Sequence, residues 1–327
     1  RIIHKAKLTP RHILNQLKKA TFVIGPPGTG KTTYVIKQFI DNASPANKVA
    51  YIAPTHKLVQ SMDQAIWDKY GQTASVTISK SELNNNPYNY TSNQNGKAIL
   101  LGTPGAVSAH AGCTLIFDEV TLSQLNTICS AIATVKPSDI IFLGDPFQLG
   151  PVTHLRNLAY DYTNFPLYQF CKTKTNLGVC YRCPTAIFDL WSKPYHDQDI
   201  MLKPFKIGGS AQIIVNDQCN NPDNNIYVTK LAEKHPDHTI LCNYKKPTFG
   251  VPNALTIDSS QGKTFENVIV VLLGSTAFTK VMNRAIVAMS RATHSVQVHC
   301  SPQIHTLFTQ IFGWNTETQP QVTPQHQ

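Results

Sequence analysis

Residues 20–41 read ATFVIGPPGTGKTTYVIKQFID, and this stretch decides the fold. ATFVIG is an apolar run with β-branched residues that ends on Gly25, as a buried strand does. A Gly/Pro-rich turn follows. KTTYVIKQFID then shows helical spacing, with Tyr34, Val35, Phe39 and Ile40 usable as one face. Gly25, Pro26, Pro27, Gly28, Thr29, Gly30, Lys31 and Thr32 match G-x-x-x-x-G-K-[ST] without a mismatch, between strand and helix as that motif requires. Glycines let successive backbone N–H groups converge on phosphate oxygens just before a helix N-terminus. Lys31 is expected to reach the β- and γ-phosphates and Thr32 to set its hydroxyl on Mg²⁺. A plain Gly/Pro turn with a surface lysine is the alternative, and it does not explain the flanking strand and helix.

Working outward, KVAYIAP, AILLGT, CTLIFDE and DIIFLGD are further short apolar runs, each closed by a turn or an acidic residue. Continuous apolar strands separated by helical stretches predict a parallel sheet covered on both faces, hence an α/β fold. CTLIFDE sets Asp118 and Glu119 at a strand end. Asp118 is expected to hold Mg²⁺ through water, and Glu119 to orient or deprotonate an attacking water. In IFLGDPFQLGPV a strand ends at Gly144-Asp145, and Gln148 follows where it can sense the γ-phosphate or bind that water.

A second unit begins near residue 180, with AQIIV, HTILC, NALTID, NVIVVLL and SVQVHC as strands. The expected division is 1–179, 180–315 and a polar Pro/Gln-rich tail, 316–327. Residues 79–97, rich in Asn, Ser and Tyr, read as a surface loop or small insertion. Hydrophobic residues at 42% against 15% charged suit a globular chain with real cores. A net charge of +10 fits a polyanionic partner, although ribosomal and membrane-surface proteins share it. No apolar run reaches the roughly 18–20 residues of a membrane helix, so no membrane insertion is expected. RIIHKAKLTPRH lacks the apolar core of a signal peptide, and with no initiator Met it reads as the start of a processed or truncated chain. The eight scattered cysteines favour a reducing compartment. Cys180 and Cys183 form C-x-x-C, but a structural zinc needs four ligands and no second pair stands nearby. H-E-x-x-H and G-x-S-x-G are absent from the sequence, so peptide or ester hydrolysis is not indicated.

Four more segments complete an ordered set. APTHKLV carries Pro54, Thr55 and His56 after a strand; CYRCP carries Arg182; TIDSSQGKTFENVIVV carries Ser260, Gln261 and Gly262; NRAIVAMSRA carries Asn283, Arg284 and Arg291 on an expected helix. In their order with the phosphate loop, D-E and GDPFQL, these resemble motifs I to VI of superfamily 1 helicases. GPPGTGK, GDPFQL, C-x-R-C-P, DSSQG and NR-x-x-V-A-x-[ST]-R-A are similar to the helicase of nidovirus replicase polyproteins, of the coronavirus and torovirus kind, over roughly residues 15–312. A cellular superfamily 1 helicase is the neighbouring reading.

The resemblance implies two tandem RecA-like domains, each a mainly parallel sheet flanked by helices, with ATP in the interdomain cleft. Lys31, Thr32, Asp118, Glu119 and Gln148 face it from one side, and Arg182 and Arg291 act from the other as arginine fingers. Gly25, Pro27, Gly28, Thr29, Gly30, Thr33, Tyr181 and Gly262 line the nucleotide, while Gln261 couples it to the bound strand. Pro54, Thr55, His56, Ser108, Ser260 and Gln261 are the candidate nucleic-acid contacts. It further implies ATP and Mg²⁺, with other NTPs open; single-stranded and duplex RNA, with DNA open; 5′ to 3′ movement; other replicase subunits; and replication complexes in the host cytoplasm. Two features depart from coronavirus-type relatives. Tyr181 stands where they carry a basic residue, open to stacking on adenine or packing at a domain junction, and Thr33 stands where they carry His. The family's N-terminal zinc-binding module has no counterpart in this sequence. The final Gln327 fits release by a viral protease that cuts after glutamine, and an arbitrary end to the sequence is the other reading. A nucleotide-gated RNA clamp and an uncoupled NTPase are the other functional readings. Intact Glu119, Gln148, Arg182 and Arg291 argue for turnover.

Overall fold

The structure, a computed structural model, describes residues 10–44, 46–70, 99–104, 112–145, 147, 166–274 and 278–314. The expected insertion 79–97, the tail 316–327, and the candidates Ser108 and Gln148 lie outside the described residues. The chain packs as two compact units. One holds Arg1–Pro26 with Gly30–Leu177, the other Pro27–Thr29 with Gly178–Gln327.

The first unit runs α1 (Pro10–Lys19), β1 (Thr21–Ile24), α2 (Lys31–Val35), β2 (Val49–Ile52), α3 (His56–Tyr70), β3 (Ile99–Gly102), β4 (Thr114–Phe117), α4 (Leu125–Val135), β5 (Asp139–Gly144), α5 (Pro166–Phe170) and β6 (Thr173–Asn176). Its sheet has the order β3-β2-β4-β5-β1-β6, and every pairing is parallel. The strands VAYI and ILLG are buried at every position, and TLIF at all but its first, as expected of a sheet covered on both faces. Helix α3 turns Val59, Met62 and Ile66 inward at spacings of three and four, onto a core with Val23, Ile40, Tyr51, Ile116 and Leu143. Each such apolar side chain contributes about 1.5–3 kcal/mol on full burial. Met62→Asp would break this helix–sheet packing.

Five strands of this sheet are those the apolar runs predict. The sixth, β6, reads TKTN and is mostly exposed. It is a strand because β1 pairs with it, Thr21 with Thr173 through Ile24 with Asn176. Lys174 on this outer strand discourages further edge pairing.

The second unit runs β7 (Val179–Pro184), α6 (Thr185–Asp189), α7 (Lys193–His196), β8 (Lys203–Lys206), β9 (Ser210–Val215), α8 (Asn225–Lys234), β10 (Thr239–Cys242), β11 (Ala254–Thr256), β12 (Phe265–Leu272), α9 (Phe278–Met289), β13 (Ala292–Cys300) and α10 (Pro302–Phe312). Its parallel sheet has the order β11-β10-β12-β13-β9, while β7 and β8 form a separate parallel pair. The apolar run of β12 is buried from Val268 to Leu272, at the centre of the sheet. Ser301 caps α10 by accepting the Ile304 N–H, and Gly313 ends it at φ 71°. Both units are therefore parallel sheets flanked by helices. Among the described residues, no helix is long and apolar enough to cross a membrane.

Candidate functional site

In open parallel sheets, functional groups collect where strands end at their carboxyl edge. Strand β5 lies between β1 and β4, and the register pairs Ile24 with Gly144 and Phe117 with Phe142. The loop after β1 and the acids after β4 therefore leave the same edge, two strand spacings or about 10 Å apart. Gly25 N–H donates to Gly144 O at 2.9 Å, which ties the start of the loop to β5.

Gly30 begins the helix in the left-handed region at φ 78°, and Tyr34 N–H donates back to its carbonyl at 2.8 Å. A side chain at Gly30 would oppose that conformation. The helix is α-helical over Lys31–Val35 and π-helical over Ile36–Ile40. Val35 and Ile40 are buried, while Tyr34 and Phe39 pack at the margin of the core, the face the spacing predicted. Lys31 bends back so that Nζ donates to Gly25 O at 2.8 Å and pairs with Glu119 Oε1 at 3.4 Å. A Cβ on Gly25 would fall 2.5 Å from Lys31 Cγ, so glycine there makes room for the lysine stem. Thr29 is buried, whereas Thr32 and Thr33 on the first turn are exposed. Pro27 is buried, and Gly28 takes φ 73°.

Asp118 and Glu119 are both buried. Asp118 Oδ1 accepts the Glu119 N–H at 2.8 Å, and Oδ2 accepts the Tyr51 hydroxyl at 2.5 Å. Burial, with the Glu119 carboxylate beside it, pushes Asp118 up to about 6, against the pull of Lys31 and of the Tyr51 hydrogen bond. Burial also drives the Tyr51 hydroxyl well above its ordinary range, with the Asp118 charge adding to the effect. Glu119 sits in the left-handed region at φ 43°, a conformation a side chain adopts only when its surroundings hold it. Among the described residues, Glu119 Oε2 is buried with no hydrogen-bond partner. A buried carboxylate oxygen without a donor, beside an acid whose ionisation is opposed by a second acid, suits a hard divalent cation and its water ligands. The donor set at this edge thus fits Mg²⁺. Asp145, just after β5, is fully buried and accepts the Phe147 N–H at 3.0 Å.

In the second unit Arg182 lies on β7 and Arg291 just before β13, and both are fastened at Ser290. Arg182 Nη1 donates to Ser290 O at 3.1 Å, and Cys183 Sγ to the same oxygen at 3.6 Å. Arg291 Nε donates to Val287 O at 2.9 Å, Nη1 to Lys263 O and Nη2 to Ser290 Oγ, both at 3.4 Å. Arg291 was expected on a helix. Helix α9 instead ends at Met289, and Arg291 occupies the turn after it, its N–H on Ala288 O. Arg284 does lie on α9, in a two-pronged pair with Asp258 at 3.0 and 2.9 Å. Tyr181 is half exposed, and its ring lies 5.3 Å from that of Phe205. Among the described residues no cluster of three or more metal-ligating side chains surrounds Cys180 and Cys183.

The candidate strand contacts differ among themselves. Thr55 and His56 are exposed after β2, and Pro54 is half-buried. Thr55 Oγ1 accepts the Leu58 N–H at 3.4 Å as the start of α3. Gln261 is half-buried and Gly262 exposed. Ser260 is fully buried, with its hydroxyl on Ile257 O at 2.7 Å, so this side chain is not offered to a strand; the exposed neighbour is Ser259. Two residues that order the site were not singled out from the sequence. Tyr51 had a visible signal, a hydroxyl within the otherwise apolar strand VAYI, whereas Ser290 receives Arg182 on its main-chain carbonyl, which sequence does not mark, and Arg291 on its hydroxyl.

A model of the viral superfamily 1 RNA helicase core domain matches residues 21–300. The chain is 36% identical to replicase polyprotein 1ab of Breda virus 1 over 305 residues, which is 91% of this chain and 4% of that polyprotein. The same identity and coverage hold for replicase polyprotein 1ab of Berne virus. With replicase polyprotein 1ab of bat coronavirus HKU9 the identity is 25%, over 86% of this chain and 4% of that one. The chain thus spans only a few per cent of the curated relatives it matches. Among solved structures it resembles the arterivirus nonstructural protein 10 helicase in complex with DNA, with a TM-score of 0.65 at 19% identity, covering 92% of this chain and 65% of that one.

Proposed function

This chain belongs to the viral superfamily 1 RNA helicase core family, and from that premise we propose that it is an NTP-driven motor that moves along and unwinds nucleic acid. The observation that carries the reading is the group Lys31, Asp118 and Glu119 at one sheet edge. In it a lysine lies within 3.4 Å of a buried carboxylate that has an oxygen still to satisfy. Lys31 exchanges Gly25 O for the β- and γ-phosphates, and Gly28 and Gly30 give the loop the curl that turns N–H groups towards them. Thr32 and Asp118 hold Mg²⁺, which when bound neutralises charge on the phosphates. Glu119, released from Lys31, orients the attacking water and takes its proton, and Gln148 assists it. Arg182 and Arg291 stabilise charge on the phosphoryl group as its bond to the leaving oxygen lengthens.

ATP is the expected fuel, with Tyr181 and Gly262 near its base and phosphates. Other NTPs remain acceptable substrates, because Tyr181 and Thr33 stand where coronavirus-type relatives carry other residues. The two RecA-like domains of the reading are residues 1–179 and 180–315. The strand is RNA, contacted through Thr55 and His56 with Gln261 as the link to the nucleotide, in a replication complex of the infected cell that holds other replicase subunits. The net charge of +10 supports a phosphate-dominated grip that weakens with salt.

Tailed RNA duplexes test the direction. Duplexes with a 5′ single-stranded tail are expected to be unwound with ATP and Mg²⁺, and those with a 3′ tail left intact. Unwinding only from a 3′ tail would overturn the 5′ to 3′ assignment, and ATP hydrolysis without any unwinding would favour an uncoupled NTPase.

A further inference from the structure

We propose that Tyr51 is a positioning residue for Asp118: its phenol hydroxyl fixes the carboxylate in the orientation that receives the metal. The inference rests on the function proposed above and adds to it a residue outside the helicase motifs.

Tyr51 stands third in β2, whose other members are Val49, Ala50 and Ile52, and it is 1% exposed. A phenol buried so fully needs a hydrogen-bond partner. Its partner is not a nearby main-chain carbonyl but Asp118 Oδ2. Strand β2 pairs directly with β4, Tyr51 opposite Ile116 and Ile52 opposite Phe117, so the ring projects from the strand adjoining the acid. The Asp118 N–H also donates to Ile52 O at 2.8 Å. The main chain of Asp118 is thereby held by β2, Oδ1 by the Glu119 N–H, and Oδ2 by Tyr51. Of these three restraints only the last comes from a side chain, and only the last can be removed without disturbing the backbone. Two oxygens each held by a donor leave one preferred rotamer, with the remaining lone pairs available to a hydrated cation. Groups that orient a metal ligand in this way commonly govern metal affinity by 10–100-fold.

Tyr51→Phe keeps the ring and its packing and deletes only the hydroxyl. Binding of Mn²⁺ in the presence of ADP, followed by electron paramagnetic resonance, requires no turnover. The expected result is affinity weakened about tenfold. The half-saturating Mg²⁺ for ATP hydrolysis rises by about the same factor, and excess Mg²⁺ restores most of kcat. In an Asp118→Asn background the same substitution changes neither quantity further, because the partner is already altered. If Tyr51→Phe lowers Tm yet binds Mn²⁺ within about twofold of the parent, Tyr51 is merely a packed tyrosine and the proposal is overturned. Additive losses in the double variant overturn it as well. A parent chain that binds no Mn²⁺ with nucleotide overturns the functional reading itself, a result distinct from either of these.

Discussion

Lys31, Asp118 and Glu119 hang from strand ends whose positions are set by a parallel main-chain ladder, whereas Arg182 and Arg291 are aimed by side-chain bonds to one turn at Ser290. In the first unit the register of β1, β5 and β4 delivers the loop and the acids to one edge whatever their side chains are. In the second, Arg182 reaches from β7 and Arg291 from a turn after α9, and no shared strand pairing fixes their approach. The acids and the lysine also compensate one another's charge, while Arg182 and Arg291 donate to neutral oxygens of Ser290, Val287 and Lys263. The difference leads to the expectation that removing a charged group costs most in either unit, and that deleting a single hydroxyl that aims one, in Tyr51 or Ser290, costs far less.

Removing charge from the first half gives the largest effect. Lys31→Ala is expected to lower ATP turnover by more than about 1,000-fold, since the loop lysine stabilises charge on the transferred group. A coupled-enzyme assay measures it, with Tm as the check that the fold survives. Arg291→Ala comes next. It should lower kcat by about 100- to 1,000-fold while ADP binding, measured by calorimetry, changes only a few-fold. Loss of ADP binding by that variant would mean that Arg291 supports the fold instead.

The pH dependence sharpens the contrast, because among the described residues the buried acid pair lies in the first unit. If Asp118 takes the metal as proposed, it does so ionised, and its folded value is raised to about 6. Metal affinity is therefore expected to fall as pH drops through about 6, with half-saturating Mg²⁺ rising roughly tenfold for each further unit. The linkage has the opposite sign for the metal-free chain. A carboxyl raised in the fold contributes stability present below its unfolded value and lost as pH rises through about 6. Asp118→Asn should accordingly raise the metal-free Tm at pH 8 and leave it nearly unchanged at pH 4.

Smaller effects belong to the second half. Ser290→Ala removes the hydroxyl 3.4 Å from Arg291 but keeps the carbonyl that receives Arg182, so kcat should fall only a few-fold. Arg284→Ala breaks a partly exposed ion pair and should cost under about 1 kcal/mol of stability, seen as a small shift in Tm.

The same contrast explains what the sequence made legible. The phosphate loop matches its motif after an apolar run, the acid pair takes its meaning from that loop upstream, and apolar runs mark ten strands of the two main sheets. Strand β6 escaped because TKTN has no apolar signal and becomes a strand only through pairing with β1. NRAIVAMSRA reads as one helix carrying Arg291, and the stop at Met289 leaves no glycine or proline as a mark. Ser260 is a candidate strand contact only through the resemblance of DSSQG to a helicase motif, which carries no information on which of its serines is exposed. Its burial follows from the short helical turn over Asp258–Ser260, which directs the hydroxyl onto Ile257 O. Strand β6 depends on what lies across space from it, and Arg291 and Ser260 on local turns.

The central claim is that nucleotide turnover is coupled to a bound strand. ATP hydrolysis measured with and without single-stranded RNA, over a range of salt and with Lys31→Ala as the blank, tests it most directly. The account predicts strong stimulation by RNA that fades as salt rises. Turnover by the parent chain that is the same with and without RNA at every salt concentration would contradict it.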